Sequence, residues 1–197
     1  LEAALRSFAE RGFAGTRLED VAASAGVSKG TVYLYFESKE RLFEAVIREA
    51  VTPSIDQADA LLDAFEGSTP NLLRTLFMVL EGALNGPFPA VAKIILAESG
   101  NFPALARMWG DLAVRRAFGL ARRVIQRGVD RGELRPVSPD EIVPLVMAPF
   151  MLLGVWRQSL GPHVNIPMDS HAVIAAHLDT LLRGLAAPET GSRKGKR

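Results

Sequence analysis

The residues best suited to chemistry fall between Thr16 and Lys39, in the run TRLEDVAASAGVSKGTVYLYFESK. Ser28, Lys29, Thr31, Tyr33 and Tyr35 crowd hydroxyls and an ammonium onto one short stretch, and Gly30 among them carries no side chain. These are hydrogen-bond donors of the kind that meet base edges and phosphate oxygens. The rest of the chain offers little for catalysis. It has no H-E-x-x-H, no G-x-S-x-G, no Walker-type loop and no Cys, so neither a thiol nucleophile nor a Cys-ligated zinc is available. His163, His171 and His177 are a loose set, the last two on different faces of one helix. No metal, cofactor or enzymatic activity is expected.

These donors need a scaffold, and the local pattern supplies one. Two short helices joined by Ala25-Gly26-Val27 read as a helix-turn-helix, with Gly26 as the left-handed turn residue and Ala23 small where the helices cross. Thr16 and Glu19 have the spacing of a capping box at the start of the first of these helices, which turns Leu18, Val21, Ala22 and Ala25 inward. Ser28 can cap the second helix, whose core residues are Val27, Val32 and Phe36; Leu34 is ambiguous. Its other face is short and polar enough to enter a major groove about 12 Å wide. Ahead of the pair, Leu1, Ala4, Leu5, Phe8 and Ala9 form a helical stripe that Gly12 ends; behind it, Ser38 caps a helix with Leu42, Phe43, Val46 and Ile47 apolar.

The run FAERGFAGTRLEDVAASAGVSKGTVYLYFESKERLFEAV resembles the tetracycline-repressor (TetR) family of bacterial transcription regulators, over Leu1 to Ile47. The resemblance implies an all-α chain: an N-terminal three-helix, helix-turn-helix DNA-binding domain (residues 1–48) followed by a helical ligand-binding and dimerisation domain (residues 53–187). It also implies roles. Ser28, Lys29, Gly30 and Thr31 lie on the first turn of the recognition helix, where Lys29 suits guanine O6 or N7 and Thr31 a thymine methyl or a phosphate. Gly30 lets the backbone come close. Tyr33 and Tyr35 place hydroxyls on phosphates, while Lys39 and Thr16 hold phosphates at the starts of their helices. The expected partners are a double-stranded, palindromic DNA operator, a second copy of the chain and a small effector that releases the operator, in the cytoplasm.

Charge sets limits on this. The 197 residues hold 23 Lys and Arg against 22 Asp and Glu, for a net charge of +1, so no polycationic coat is present. Residues 1–48 balance seven basic against seven acidic groups, which argues for two copies on one duplex. The segment Pro188 to Arg197 has four basic groups against one acid and no apolar residue to bury; it reads as a disordered basic tail. No leader peptide is visible. The first residue, Leu1, already sits in a helical pattern, so a longer start with a basic arm is expected ahead of it. The longest apolar run, Ile142 to Trp156, is shorter than the roughly 18 residues of a membrane span and contains two prolines.

The remainder reads as long apolar helices: about 56–65, continuous with the fourth helix through a kink at Pro53; 69–84; 90–99; a long one from Pro103 to about Arg131; one from a second capping box, Ser138 to Glu141, to about Leu160; and one from Ser170 to about Ala187. Phe77, Leu80, Phe102, Met108, Trp109, Phe118 and Met151 are the candidate lining of an apolar effector pocket, with Glu98, Asn101, Arg107, Asp111, Arg115 and Gln158 as polar handles. The arginines from 107 to 135 read as a solvated face with a few inward salt bridges. Met147, Met151, Val155, Ile174, His177, Leu178, Leu181 and Leu185 exceed what one small domain buries and predict a four-helix bundle between two copies. The competing reading is a protein-interaction adaptor that keeps the helix-turn-helix as scaffold.

Overall fold

A computed structural model describes residues 1–187; the basic tail read from the sequence lies outside the described residues. The described residues contain ten α-helices: α1 (Glu2–Gly15), α2 (Leu18–Ala25), α3 (Lys29–Tyr35), α4 (Lys39–Ala64), α5 (Thr69–Ala83), α6 (Phe88–Glu98), α7 (Pro103–Trp109), α8 (Arg115–Asp130), α9 (Pro139–Gln158) and α10 (Ser170–Leu185). Gly110–Val114 is wound as a π-helix that joins α7 to α8, so the long helix expected from Pro103 onward forms with one over-wide turn inside it. The Leu134–Ala186 bridge is isolated, and no strand occurs among the described residues.

Local signals explain most helix ends. Ser28, Ser38 and Asp169 accept hydrogen bonds from the first-turn N–H groups of α3, α4 and α10. Gly26 and Gly132 take the left-handed conformation that stops α2 and α8. Neither capping box forms. Thr16 turns inward and its hydroxyl bonds the carbonyls of Gly12 (2.8 Å) and Ser7 (3.0 Å), while the Glu19 carboxylate is held by α3. At Ser138 the backbone closes the turn instead, and Asp140 pairs with Arg122. The α5 N-terminus is capped from a distance: Glu133 Oε2 accepts from the Thr69 N–H at 2.6 Å.

The core consists of two apolar clusters. The α4 helix runs unbroken through residues 48–53, with Pro53 inside it. One apolar cluster holds Phe8, Phe13, Val32, Phe43 and Ile47 together with Val91, Ile95, Leu105 and Trp109, so the helix-turn-helix shares its core with α6 and α7. Phe8, Phe13 and Phe43 meet ring to ring at 4.8–5.8 Å, and losing one such fully buried ring costs about 3–5 kcal/mol. The second cluster joins α5, α8, α9 and α10 around Leu72, Phe77, Ile125, Phe150 and Leu153.

Arginines of α8 tie down the C-terminal half of α4. Arg116 reaches Asp56 (2.5 Å), Arg123 reaches Asp59 and Asp63 (2.8 and 2.5 Å), and Arg127 donates to the carbonyls of Phe65 and Gly67. Contrary to the sequence reading, α9 is long and apolar enough to cross a membrane by length and composition. In this fold it packs against α6, α8 and α10.

Thr69 and its arginine neighbours hold the Glu133 carboxyl below its ordinary range, the hydrogen bond from Thr69 contributing most. A depressed carboxyl adds stability above its unfolded value of 4.5, and that stability is lost as pH falls through the folded value. Glu133→Gln is expected to destabilise the chain by ~1 kcal/mol at pH 7 and to flatten the loss of stability as pH falls below the ordinary carboxyl value of 4.5. Thermal unfolding of both proteins across that range checks it.

Candidate nucleic-acid interface and effector cavity

The α3 helix stands out from the molecule. Of its seven residues only Val32 is buried. Val27, taken as core, is exposed, and so are Ala25, read as facing inward, and Ala23, read as the residue where the helices cross. Leu34 is 80% and Tyr35 74% exposed. Ser28, Lys29, Gly30, Thr31, Tyr33 and Tyr35 therefore form one open surface, as the sequence suggests. The Ser28 hydroxyl accepts from the Thr31 N–H at 3.1 Å and lies 2.8 Å from the Thr31 hydroxyl, which pre-sets both groups. A Cβ at Gly30 would meet only the Ser28 hydroxyl, at an ordinary 3.7 Å. The protein itself does not require glycine there.

Two expected phosphate contacts are engaged elsewhere. Thr16 is buried, its hydroxyl occupied by the carbonyls beneath it, so it faces no outside partner. The Lys39 ammonium donates to the Ala14 carbonyl (3.2 Å) and lies 4.6 Å from the centre of the Phe13 ring. It fastens the start of α4 to the end of α1.

The body contains an apolar cavity of about 260 Å³ between α4, α8 and α9. Leu80, Trp109, Phe118 and Met151 line it as predicted, and Phe77 lines a narrow side cavity that shares Ser54, Ile55, Leu80, Ala117 and Met147 with the main one. Phe102 and Met108 do not line it. The Phe102 ring packs on Phe13 at 5.1 Å, and Met108 packs against the first core cluster. Sequence reasoning missed Ala50, Val51, Ser54 and Ile55 of α4, which flank Pro53, together with Phe88 at the start of α6. None of the proposed polar handles reaches the cavity; Ser54, with its hydroxyl, and Trp109, with its indole N–H, are the lining residues whose side chains carry a hydrogen-bond donor. An ionised group buried there would find no compensating charge.

The two last helices correct the dimer set. Ile174, Leu181 and Leu185 are buried in this chain's own core, since their spacing points them at α5 and α9. Met147 and Met151 line the cavity. Val155, His177 and Leu178 are half-buried, and the His177 ring stacks on Phe77 with its buried Nε2 unpaired; burial lowers its pKa. The open apolar face is carried instead by Leu145 and Leu152 of α9, with Ala172, Ala175 and Ala176 exposed on α10. A hydrophobic pattern marks an apolar face but not which body covers it.

Residues 1–46 match the profile of bacterial regulatory proteins of the tetR family, and residues 64–160 that of a tetracyclin repressor-like C-terminal domain. The HTH-type transcriptional regulator RutR of Escherichia coli K12 is 32% identical over 151 residues, covering 75% of this chain and 68% of that protein. The uncharacterized HTH-type regulator YhgD of Bacillus subtilis is 39% identical over 193 residues, 95% of both chains. In fold, the fatty acid degradation regulator FadR of Bacillus halodurans superposes with a TM-score of 0.74 at 18% identity, covering 99% of this chain and 94% of that one. FadR of Bacillus subtilis, solved with stearoyl-CoA, gives 0.68 at 17% identity, with 93% and 96% covered.

Gly30→Ala separates the fold from the interface. It is expected to leave thermal stability unchanged or slightly raised, since alanine favours a helix. Operator affinity should fall about tenfold, ~1.4 kcal/mol, by the added methyl at the groove floor. Melting curves and fluorescence anisotropy on the same samples measure both.

Proposed function

The chain belongs to the TetR family of bacterial transcription regulators and is a DNA-binding helix-turn-helix protein; from that membership we propose a repressor that holds a palindromic operator as a dimer and lets go when a small, uncharged, apolar effector fills the cavity. It acts in the cytoplasm, where its DNA is, and catalyses no reaction. The observation that carries this reading is the position of the cavity. Ala50, Val51, Ser54 and Ile55 line it from both sides of Pro53, in the helix that also supplies Phe43 and Ile47 to the DNA-binding core.

Proline has no N–H to give to the preceding turn, so α4 is softest there. Its C-terminal half packs on α8 through Ala58 and Leu62 in the second core cluster, while its N-terminal half shares the first cluster with the helix-turn-helix. A ligand that wedges beside Pro53 changes the angle between the two halves. A second route runs through α6. Phe88, at its start, touches the cavity, and Glu98, at its end, accepts the Phe13 N–H at 2.8 Å. Either shift moves α3 relative to its twin in the dimer and breaks the match to two half-sites. A coupling of ~1–3 kcal/mol changes DNA affinity about 5–150-fold, and the effector must prefer DNA-free protein by the same factor.

The dimer is proposed through α9 and α10, with Leu145 and Leu152 at its centre and small residues of α10 allowing close approach. Leu152→Glu should yield monomers in sedimentation and lose operator binding; a wild-type monomer at micromolar concentration would refute the bundle.

The effector reading is tested by a thermal-shift screen of neutral apolar compounds followed by operator binding with each hit. Compounds that stabilise the protein yet leave operator affinity unchanged would sink induction and leave DNA binding untouched. With a true inducer, Glu98→Gln is expected to retain ligand uptake and operator binding while reducing the release ratio several-fold.

A further inference from the structure

One carboxylate sits in the middle of the surface that meets DNA. Glu19 Oε1, on the first turn of α2, lies 2.7 Å from the Lys29 ammonium and accepts from the Tyr33 hydroxyl at 3.1 Å. Lys29 in turn lies 5.4 Å from the centre of the Tyr33 ring. The three side chains form a closed triangle between α2 and α3. It contributes little to the fold, because an ion pair this open to water is worth little to stability. Yet its cost at a DNA surface is plain: an acid placed there repels phosphates.

We propose that Glu19 is a specificity-determining residue, which holds Lys29 for the base edges of the operator and away from the phosphates of any other sequence. The inference rests on the DNA-binding reading of α3. An ammonium has three N–H donors. With one given to Glu19, two remain, and they can reach an acceptor pair such as guanine O6 and N7 without leaving the carboxylate. A phosphate contact demands more: Lys29 must swing outward and strand Glu19, unpaired, beside a polyanion. Binding to random DNA is carried by phosphate contacts, so Glu19 weakens it more than it weakens binding to the operator. Lys29 and Tyr33 hold the Glu19 carboxyl down to about 2, the lysine contributing most, so this arrangement stays charged across the whole physiological pH range. The same pairing explains why Glu19 does not close the capping box with Thr16.

The test uses the full-length protein, a duplex that the wild type selects from a random pool, and a scrambled duplex of the same composition. Glu19→Gln should raise affinity for the scrambled duplex about three- to tenfold and leave the selected duplex within about twofold, so the specificity ratio falls. The salt dependence on scrambled DNA should steepen by about one phosphate contact. In a Lys29→Gln background the same change at Glu19 should alter neither the ratio nor the slope. Equal weakening of both duplexes by Glu19→Gln, with melting temperature unchanged, would make Glu19 a positioning scaffold and overturn the proposal. An undiminished gain in the Lys29→Gln background would overturn it too, because bulk charge would then be the cause. If the wild type selects no duplex at all, the DNA-binding reading falls, and this inference with it.

Discussion

Gly12 bends α1 through a left-handed residue, with φ of 71°, and much of the molecule depends on that bend. It swings Phe13 inward to close the aromatic cluster with Phe8, Phe43 and Phe102. It also leaves backbone groups without helical partners, and three side chains take them up. Glu98 receives the Phe13 N–H, Thr16 bonds the Gly12 carbonyl and Lys39 bonds the Ala14 carbonyl. A side chain at position 12 is strained by the positive φ, and its Cβ, 2.5 Å from Glu98 Oε1, would push that carboxylate off the Phe13 N–H. The bend therefore joins the DNA-binding helices to α4 and α6 at a single point.

That junction makes the usual notion of two domains on a linker a poor description. The α4 helix is continuous through Pro53, in line with its residue pattern, and the first core draws on helices from both sides of residues 48–53. Rigidity at the junction is what a ligand-driven regulator needs. A flexible tether would absorb a shift at Trp109 or Phe88, whereas a shared core passes it on. The departures from regular helix lie at Pro53 and at the π-wound turn Gly110–Val114, and the cavity is lined by Val51 and Ser54 beside the first and by Ala113 and Val114 of the second.

Much of this was legible in the sequence where local chemistry decides the outcome. Gly26, Ser28 and Ser38 set the boundaries of α2, α3 and α4 by rules that involve only near neighbours, and the open polar face of α3 follows from its own residue types. What failed had its cause at long range. The Thr16–Glu19 box obeys a local rule, but Thr16 found better acceptors in α1 and Glu19 found Lys29. Phe102 looked like a pocket aromatic because nothing nearby in sequence announces Phe13 as its neighbour, 89 positions earlier. Ile174, Leu181 and Leu185 look identical in sequence whether a partner subunit or α5 covers them. The cavity lining on α4 was missed for the opposite reason: Ala50 and Ser54 are too small to attract notice, and a cavity is made by what is absent.

Five alanines, at positions 50, 83, 113, 117 and 148, line the main cavity. Its volume is therefore a matter of missing methyl and methylene groups on helices whose backbones are fixed by other contacts. Exchanging Ala83, Ala117 or Ala148, which lie outside the first core cluster, for valine or leucine fills part of the space away from the aromatic junction and the recognition helix. The shape of this cavity can thus drift by single codon changes while the residues of the helix-turn-helix stay as they are.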